Sequence, residues 1–191
     1  MLQILELQEY RVNLIMGMMA SIGSLSEHLV RHSTASLLSY LGDGECNESL
    51  SRISLFLETL LGVFHIQPKL DRLAVPFLEL LDLFFSNPHL IKAEHEPIYL
   101  SLLKHVNQIV FKVKDAKKLM AGLKVYSGMA NLEEAKELHE AVTKKLIGYL
   151  SHPFPLIRRT TAEHLYLLFS SLMDPYTNSE EVEQLLLETN W

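Results

Sequence analysis

Apolar residues recur along the chain at intervals of three and four, the period of a helix that buries one face. Strict alternation never runs long enough for a strand. Val30, Leu37, Leu38 and Leu41 form one stripe; Ile53, Phe56, Leu57, Leu60, Leu61 and Phe64 form a second. Leu78, Leu81, Phe84 and Phe85 make a third, and Ile157, Leu165, Leu168, Phe169 and Leu172 a fourth. These faces are wider than a coiled-coil seam and are suited to packing on several neighbours. Breaks fall at Gly42-Asp43-Gly44, Gln67-Pro68, Asn87-Pro88, Gly128, His152-Pro153 and Asp174-Pro175. Together they predict helices near 6–20, 25–41, 47–65, 70–86, 96–111, 114–127, 132–150, 154–173 and 179–189. Ser24 with Glu27, Asn131 with Glu134 and Thr177 with Glu180 have the spacing of a capping box, in which each side chain satisfies the other residue's orphan backbone donor.

Composition agrees with packed helices. Of 191 residues 38 are leucine, against eight glycines and seven prolines, which excludes a disordered chain and a β-sandwich. The length suits one domain over residues 1–191, with no linker long enough to divide it and enough core to need no staple. A net charge of −6 argues against nucleic acid, whose binding needs a basic stripe that releases counterions. Cys46 is the single cysteine, so an internal disulfide and a four-cysteine zinc site are excluded. The first residues lack a basic start and an apolar core, and are not a secretory signal. The longest charge-free stretch, Val12 to Ser26, falls short of the roughly 20 residues a membrane span needs, so a cytoplasmic chain without membrane insertion is expected. Asn47-Glu48-Ser49 then reads as a chance sequon.

The chain repeats itself. Leu29-Val30-Arg31-His32-Ser33-Thr34-Ala35 aligns with Leu156-Ile157-Arg158-Arg159-Thr160-Thr161-Ala162, and Leu38 and Leu41 fall in register with Leu165 and Leu168. The offset is about three periods of the roughly 40–47 residues of HEAT and armadillo repeats, so an all-α, HEAT/armadillo-like solenoid segment of antiparallel helix pairs is expected. In such a pair Ala35 and Ala162 let a partner helix approach, and Arg31 and Arg158, in the first turn, reach the preceding loop. The same arginines could instead grip carboxylates on a partner. His32 and Arg159 follow by one residue, turn away from that face and are the better surface candidates.

Other polar groupings carry less chemistry. Lys112, Lys114, Lys117, Lys118 and Lys124, interrupted by Asp115, read either as a solvated face or as a site for an acidic partner, with Lys117 and Lys118 at its centre. Glu133, Glu134, Glu137 and Glu140 ahead of Lys144 and Lys145 complement a helix dipole, which accounts for them without catalysis. His28 and His32 stand four apart, but Leu29 occupies the place where a zinc-protease helix needs glutamate, so no metal is expected. His89, Glu94, His95 and Glu96 read as a polar connector. Cys46 lies among Asp43, Glu45 and Glu48 rather than beside a base, and is expected to be inert. No Gly-Lys-Ser/Thr follows the glycines near it, so no phosphate cradle and no cofactor is expected. Phe154, between Pro153 and Pro155, is held in one direction, either as a staple into the next helix or as an exposed anchor for a partner. Trp191 is expected either to cap the last repeat or to stand against a continuation of the chain. Three rival readings stand: a helical enzyme or ligand-binding bundle, which needs an enclosed pocket lined by His28, His32 or Glu58; a generic HEAT-type interaction scaffold of another pathway; and a structural cap whose binding surfaces lie elsewhere in a longer chain.

The two repeated stretches also carry a family resemblance. Ala20-Ser21-Ile22-Gly23-Ser24-Leu25-Ser26-Glu27, continuing through Leu29 to Leu37, resembles the C-terminal region of tubulin-folding cofactor D. His152-Pro153-Phe154-Pro155-Leu156-Ile157-Arg158-Arg159-Thr160-Thr161-Ala162 is similar to that family's C-terminal string. The family's chains are several times longer, so this chain is expected to be a C-terminal segment. The resemblance implies a HEAT-like architecture and a role that is not enzymatic. It implies β-tubulin, cofactors E and C and an Arf-like small GTPase as partners in assembling or dismantling the αβ-tubulin dimer. It also implies stimulated GTP hydrolysis in the complex and a cytoplasmic, cytoskeleton-associated location.

Overall fold

The computed structural model describes residues 9–66, 72–171, 179–189 and 191. Among them are nine α-helices and no strand, and the helices pack on one another as in an all-α solenoid. The helices are α1 (Arg11–Ile22), α2 (Glu27–Leu41), α3 (Asn47–Ile66), α4 (Ala74–Phe85), α5 (Glu96–Val110), α6 (Ala116–Ala130), α7 (Lys136–Tyr149), α8 (Pro155–Ser171) and α9 (Ser179–Glu188). Short 3-10 turns at Pro88–Leu90 and Ala93–His95 lie between α4 and α5. The chain divides into two compact units, Met1–Val113 and Lys114–Trp191.

In the first unit α1 packs on α2, α3 and α4, and α3 packs on α2 and α5. The predicted stripes form its core: Ile53, Phe56, Leu57 and Leu60 from α3, and Leu78, Leu81, Phe84 and Phe85 from α4, are buried. Seven of the twelve α4 residues are buried; at roughly 1.5–3 kcal/mol for each large side chain removed from water, that face outweighs any capping term. Rings join the helices: Phe56 meets Phe84 at 5.8 Å between centroids, and Phe85 meets Tyr99 of α5 edge-on at 5.3 Å. In the second unit α6 packs on α7 and α8, and α8 also on α7 and α9.

Several local expectations are corrected. Neither capping box in the described residues forms. Ser26 is the N-cap of α2, and Ser24 Oγ accepts from the Ser26 N–H at 3.1 Å. Asn131 is the C-cap of α6, while α7 starts after Ala135. Thr177 of the third pair lies outside the described residues. Helix α6 runs on through Gly128 because Met129 and Ala130 beyond it are fully buried, which offsets the roughly 1 kcal/mol that glycine costs a helix. Its start is fixed by Asp115, whose Oδ1 accepts from the Lys117 N–H at 2.9 Å.

The loop from α2 to α3 is locked. Ser49 Oγ donates to the Leu41 carbonyl and accepts from the Gly44 N–H at 2.8 Å. Gly44 has φ +72°, and a Cβ there would lie 2.1 Å from the His89 carbonyl oxygen. Gly44→Ala is therefore expected to lose about 1–3 kcal/mol from backbone strain, with the clash added. Gly62, inside α3, has open space where a Cβ would go, so Gly62→Ala is expected to gain roughly 0.5–1 kcal/mol. Urea denaturation of both variants tests the contrast.

His95, expected in a polar connector, is instead buried at 6 % exposure. Ser54 Oγ donates to the Leu50 carbonyl at 3.0 Å and so accepts from His95 Nε2, 2.8 Å away. That leaves Nδ1 buried without a hydrogen bond, 4.0 Å from Glu94 Oε1. Burial holds the imidazole below its ordinary value of 6.5, against the opposing pull of Glu94. The unfolded chain therefore binds the proton first as pH falls. The stability contributed by neutral His95 is complete above about pH 6.5 and declines below it. Thermal melts from pH 7.5 to 5 should show a steeper acid loss in the native chain than in His95→Gln; equal slopes would assign the loss to other groups.

Candidate functional site

The turn between α7 and α8 is built by its prolines. Pro155 is the first residue of α8, where its missing N–H costs nothing, and Pro153 keeps the chain from continuing α7. Arg158, one turn into α8, sends Nη1 back to the carbonyls of His152 at 2.9 Å and Pro153 at 3.1 Å. Phe154 N–H donates to His152 Nδ1 at 3.2 Å, which leaves the imidazole neutral with its proton on Nε2. Partial burial, and then the Arg158 charge, hold His152 below the ordinary histidine value. The rings form a ladder from core to surface: Tyr126 to Tyr149 at 5.9 Å, Tyr149 to His152 at 5.9 Å, His152 to Phe154 at 5.2 Å. Tyr126 and Tyr149 share a side-chain hydrogen bond, and burial raises both phenols. At the outer end Phe154 keeps 37 % of its surface exposed.

The repeated motif does different work at its two ends. Ala162 is buried in α8 with Ile157, Leu165 and Leu168, whereas Ala35 is exposed. Helix α2 hides Leu37, Tyr40 and Leu41 instead, packing chiefly on α1 and α3 among the described residues, while α8 packs on α6, α7 and α9. The expectation that Ala35 admits a close helix is corrected accordingly. Arg31 does not reach a preceding loop either; its side chain is 82 % exposed and pairs with Glu27 of its own helix at 3.5 Å. Arg158→Ala is expected to cost about 1.5–3 kcal/mol through two lost charge-assisted bonds. Arg31→Ala should stay within about 0.5 kcal/mol, as exposed pairs do. Denaturant melts of the two variants check the ranking.

The remaining candidates fall on separate elements. His32 of α2 is exposed, its ring 4.3 Å from that of His28. It lines an open groove of about 800 Å³ with Leu14, Gly17 and Met18 of α1 and Arg52 of α3. Arg52 lies over the Tyr40 ring at 5.2 Å, donates to the Tyr40 carbonyl at 3.3 Å and pairs with Glu48. Among the described residues no three His, Cys, Asp or Glu side chains gather closely enough to hold a metal ion. Lys117 is exposed and Lys118 half-buried in the first turn of α6. Arg159 is exposed, pairs with Glu163 at 3.1 Å and borders a groove of about 540 Å³ with Tyr166, Leu187 and Trp191. Trp191 donates from Nε1 to the Leu186 carbonyl at 2.9 Å, which ties it to α9. Cys46 is exposed and free. Reading the residues in order missed the aromatic ladder: Tyr126 is remote in sequence from its partners, and only the Tyr149–His152 spacing hinted at it.

None of the described residues forms a helix long and apolar enough to cross a membrane. No solved structure matches the chain significantly. A family model described as tubulin folding cofactor D C terminal matches residues 1–118, which is 118 of 191 residues. The match takes in the whole first unit and the start of α6, including the Ala20–Leu37 stretch. The chain therefore belongs to the tubulin folding cofactor D family, as part of its C-terminal region.

Proposed function

We propose that this chain is a non-catalytic binding part of a tubulin folding cofactor, presenting helical-repeat surface to β-tubulin and to cofactors E and C. In this reading it takes part in assembling and dismantling the αβ-tubulin dimer in the cytoplasm, in association with the cytoskeleton. An Arf-like small GTPase is a further partner, and any GTP hydrolysis stimulated in the complex takes place on a partner's nucleotide. The observation that carries the reading is the family match over residues 1–118. Stacked helices suit the task, because small changes per helix pair let the surface follow a large partner. His32, Lys117, Lys118, Phe154 and Arg159 are the proposed contact residues. Lys117 and Arg159 are exposed cations that can meet an acidic surface, and steering of that kind is sensitive to salt.

The chain, immobilised, should capture αβ-tubulin, the Arf-like GTPase or cofactor E, each offered separately at low and raised salt. Capture weakened by salt and by charge reversal at Lys117 and Lys118, or at Arg159, supports the reading. A folded, monomeric chain that captures none of the three would reduce this segment to a stabilising part of a longer cofactor.

A further inference from the structure

From Ala141 to Ala162 the sequence holds Lys144, Lys145, Arg158 and Arg159 and neither Asp nor Glu, in a chain whose net charge is −6. That stretch folds into the second half of α7, the turn and the first half of α8, so its cations gather round one corner of the second unit. Lys145 Nζ lies 6.0 Å from the centre of the Tyr149 ring, the ring that continues through His152 to Phe154. Arg158 stands behind the same turn on the carbonyls of His152 and Pro153. Lys144 is exposed, and Arg159 shares its charge with Glu163. The turn also exposes apolar side chains: Leu156, two residues on from Phe154, is 56 % exposed. Single exposed apolar residues are ordinary. A phenylalanine fixed between two prolines, two residues from an exposed leucine and at the end of a ring ladder that Lys145 overlies at Tyr149, is a combined apolar and cationic surface that is already ordered.

We propose that the α7–α8 turn is a docking surface for an acidic peptide segment that carries an apolar side chain. Phe154 and Leu156 cover the apolar group, and Lys144 and Lys145 meet the flanking carboxylates. The acid-free stretch sets the sign of the partner, and the exposed ring requires more than charge from it. A nucleic acid offers charge without that anchor, and the net negative chain repels it at longer range. Arg158 and the two prolines hold the turn before binding, so little ordering entropy is lost on docking. The inference takes Phe154 from the cofactor reading, yet it stands on local geometry whether or not tubulin supplies the segment.

The test is fluorescence anisotropy of the whole chain with a labelled peptide of about a dozen Glu and Gly residues around one Phe. Two control peptides replace Phe by Gly, or every Glu by Lys. The Glu-Phe peptide should bind, and both controls at least about tenfold more weakly. Phe154→Ser, and Lys144→Glu with Lys145→Glu, should each weaken binding by about tenfold with an unchanged melting curve. Lys104→Glu, at an exposed lysine of α5, should leave it within about twofold. Absent binding, equal binding of the Phe-free peptide, or indifference to the Phe154 and Lys144/Lys145 variants overturns the proposal. So does tighter binding to phosphatidylserine vesicles or single-stranded DNA, or self-association abolished by Phe154→Ser. Partner capture without peptide binding leaves the cofactor reading standing and removes this one; peptide binding without capture of αβ-tubulin, the GTPase or cofactor E does the reverse.

Discussion

Each helix of this protein has to hide one wide apolar face, and its neighbours are the means available. With one cysteine there is no internal disulfide to fall back on, and the described residues include no strand to supply a sheet. The burial of Phe56, Phe77, Phe84 and Tyr99 in the first unit, and of Tyr126, Leu138, Leu146 and Leu165 in the second, is therefore what makes the fold. The polar groups follow from it. Thr59 and Thr161, buried inside helices, return their hydroxyls to carbonyls four residues back. Charged side chains are left to the outer faces and the turns, which is where binding chemistry can reside.

This hierarchy explains what could be read from the residues and what could not. Stripes such as Ile53-Phe56-Leu57-Leu60 specify a helix and its inner face together, because the periodicity that makes the pattern is the geometry that buries it. Caps and breaks were less legible. Ser24 with Glu27 is a valid local signal, but the chain starts α2 later and uses Ser24 to brace the preceding turn. Gly128 is a valid stop signal that loses to the burial of Met129 and Ala130. Ala35 failed for another reason: the motif is local, whereas burial depends on how many helices cover that position. Among the candidate site residues, register gave Arg31 and Arg158 the same reading, and Arg158 alone of the two turns back to the preceding loop. The Tyr126–Phe154 ladder needed the fold, since it joins residues from three elements.

As a member of the tubulin folding cofactor D family, the protein is read through surfaces more than through pockets. His32 borders an open groove of α1 and α2, Lys117 stands at the start of α6, and Phe154 and Arg159 belong to the α7–α8 corner and to α8. These places differ in stiffness as well as in charge. The α7–α8 corner is held by backbone constraint and by guanidinium bonds to carbonyls, whereas the His32 groove is lined by side chains of three helices. A binding partner that selects for shape is better served by the former, and one that tolerates variation by the latter.

The locked loop between α2 and α3 has a practical consequence. Cys46, the single thiol, sits two residues beyond Gly44, whose backbone lies against the 88–90 turn, and Ser49 N–H donates to its sulfur at 3.4 Å. A maleimide dye would attach at this one address without any engineered residue. Because the backbone beneath it is held on two sides, the dye's slow depolarisation would report the tumbling of the first unit rather than the wobble of a loose tether. The native chain therefore carries its own handle for following, in solution, what it joins and how large the assembly becomes.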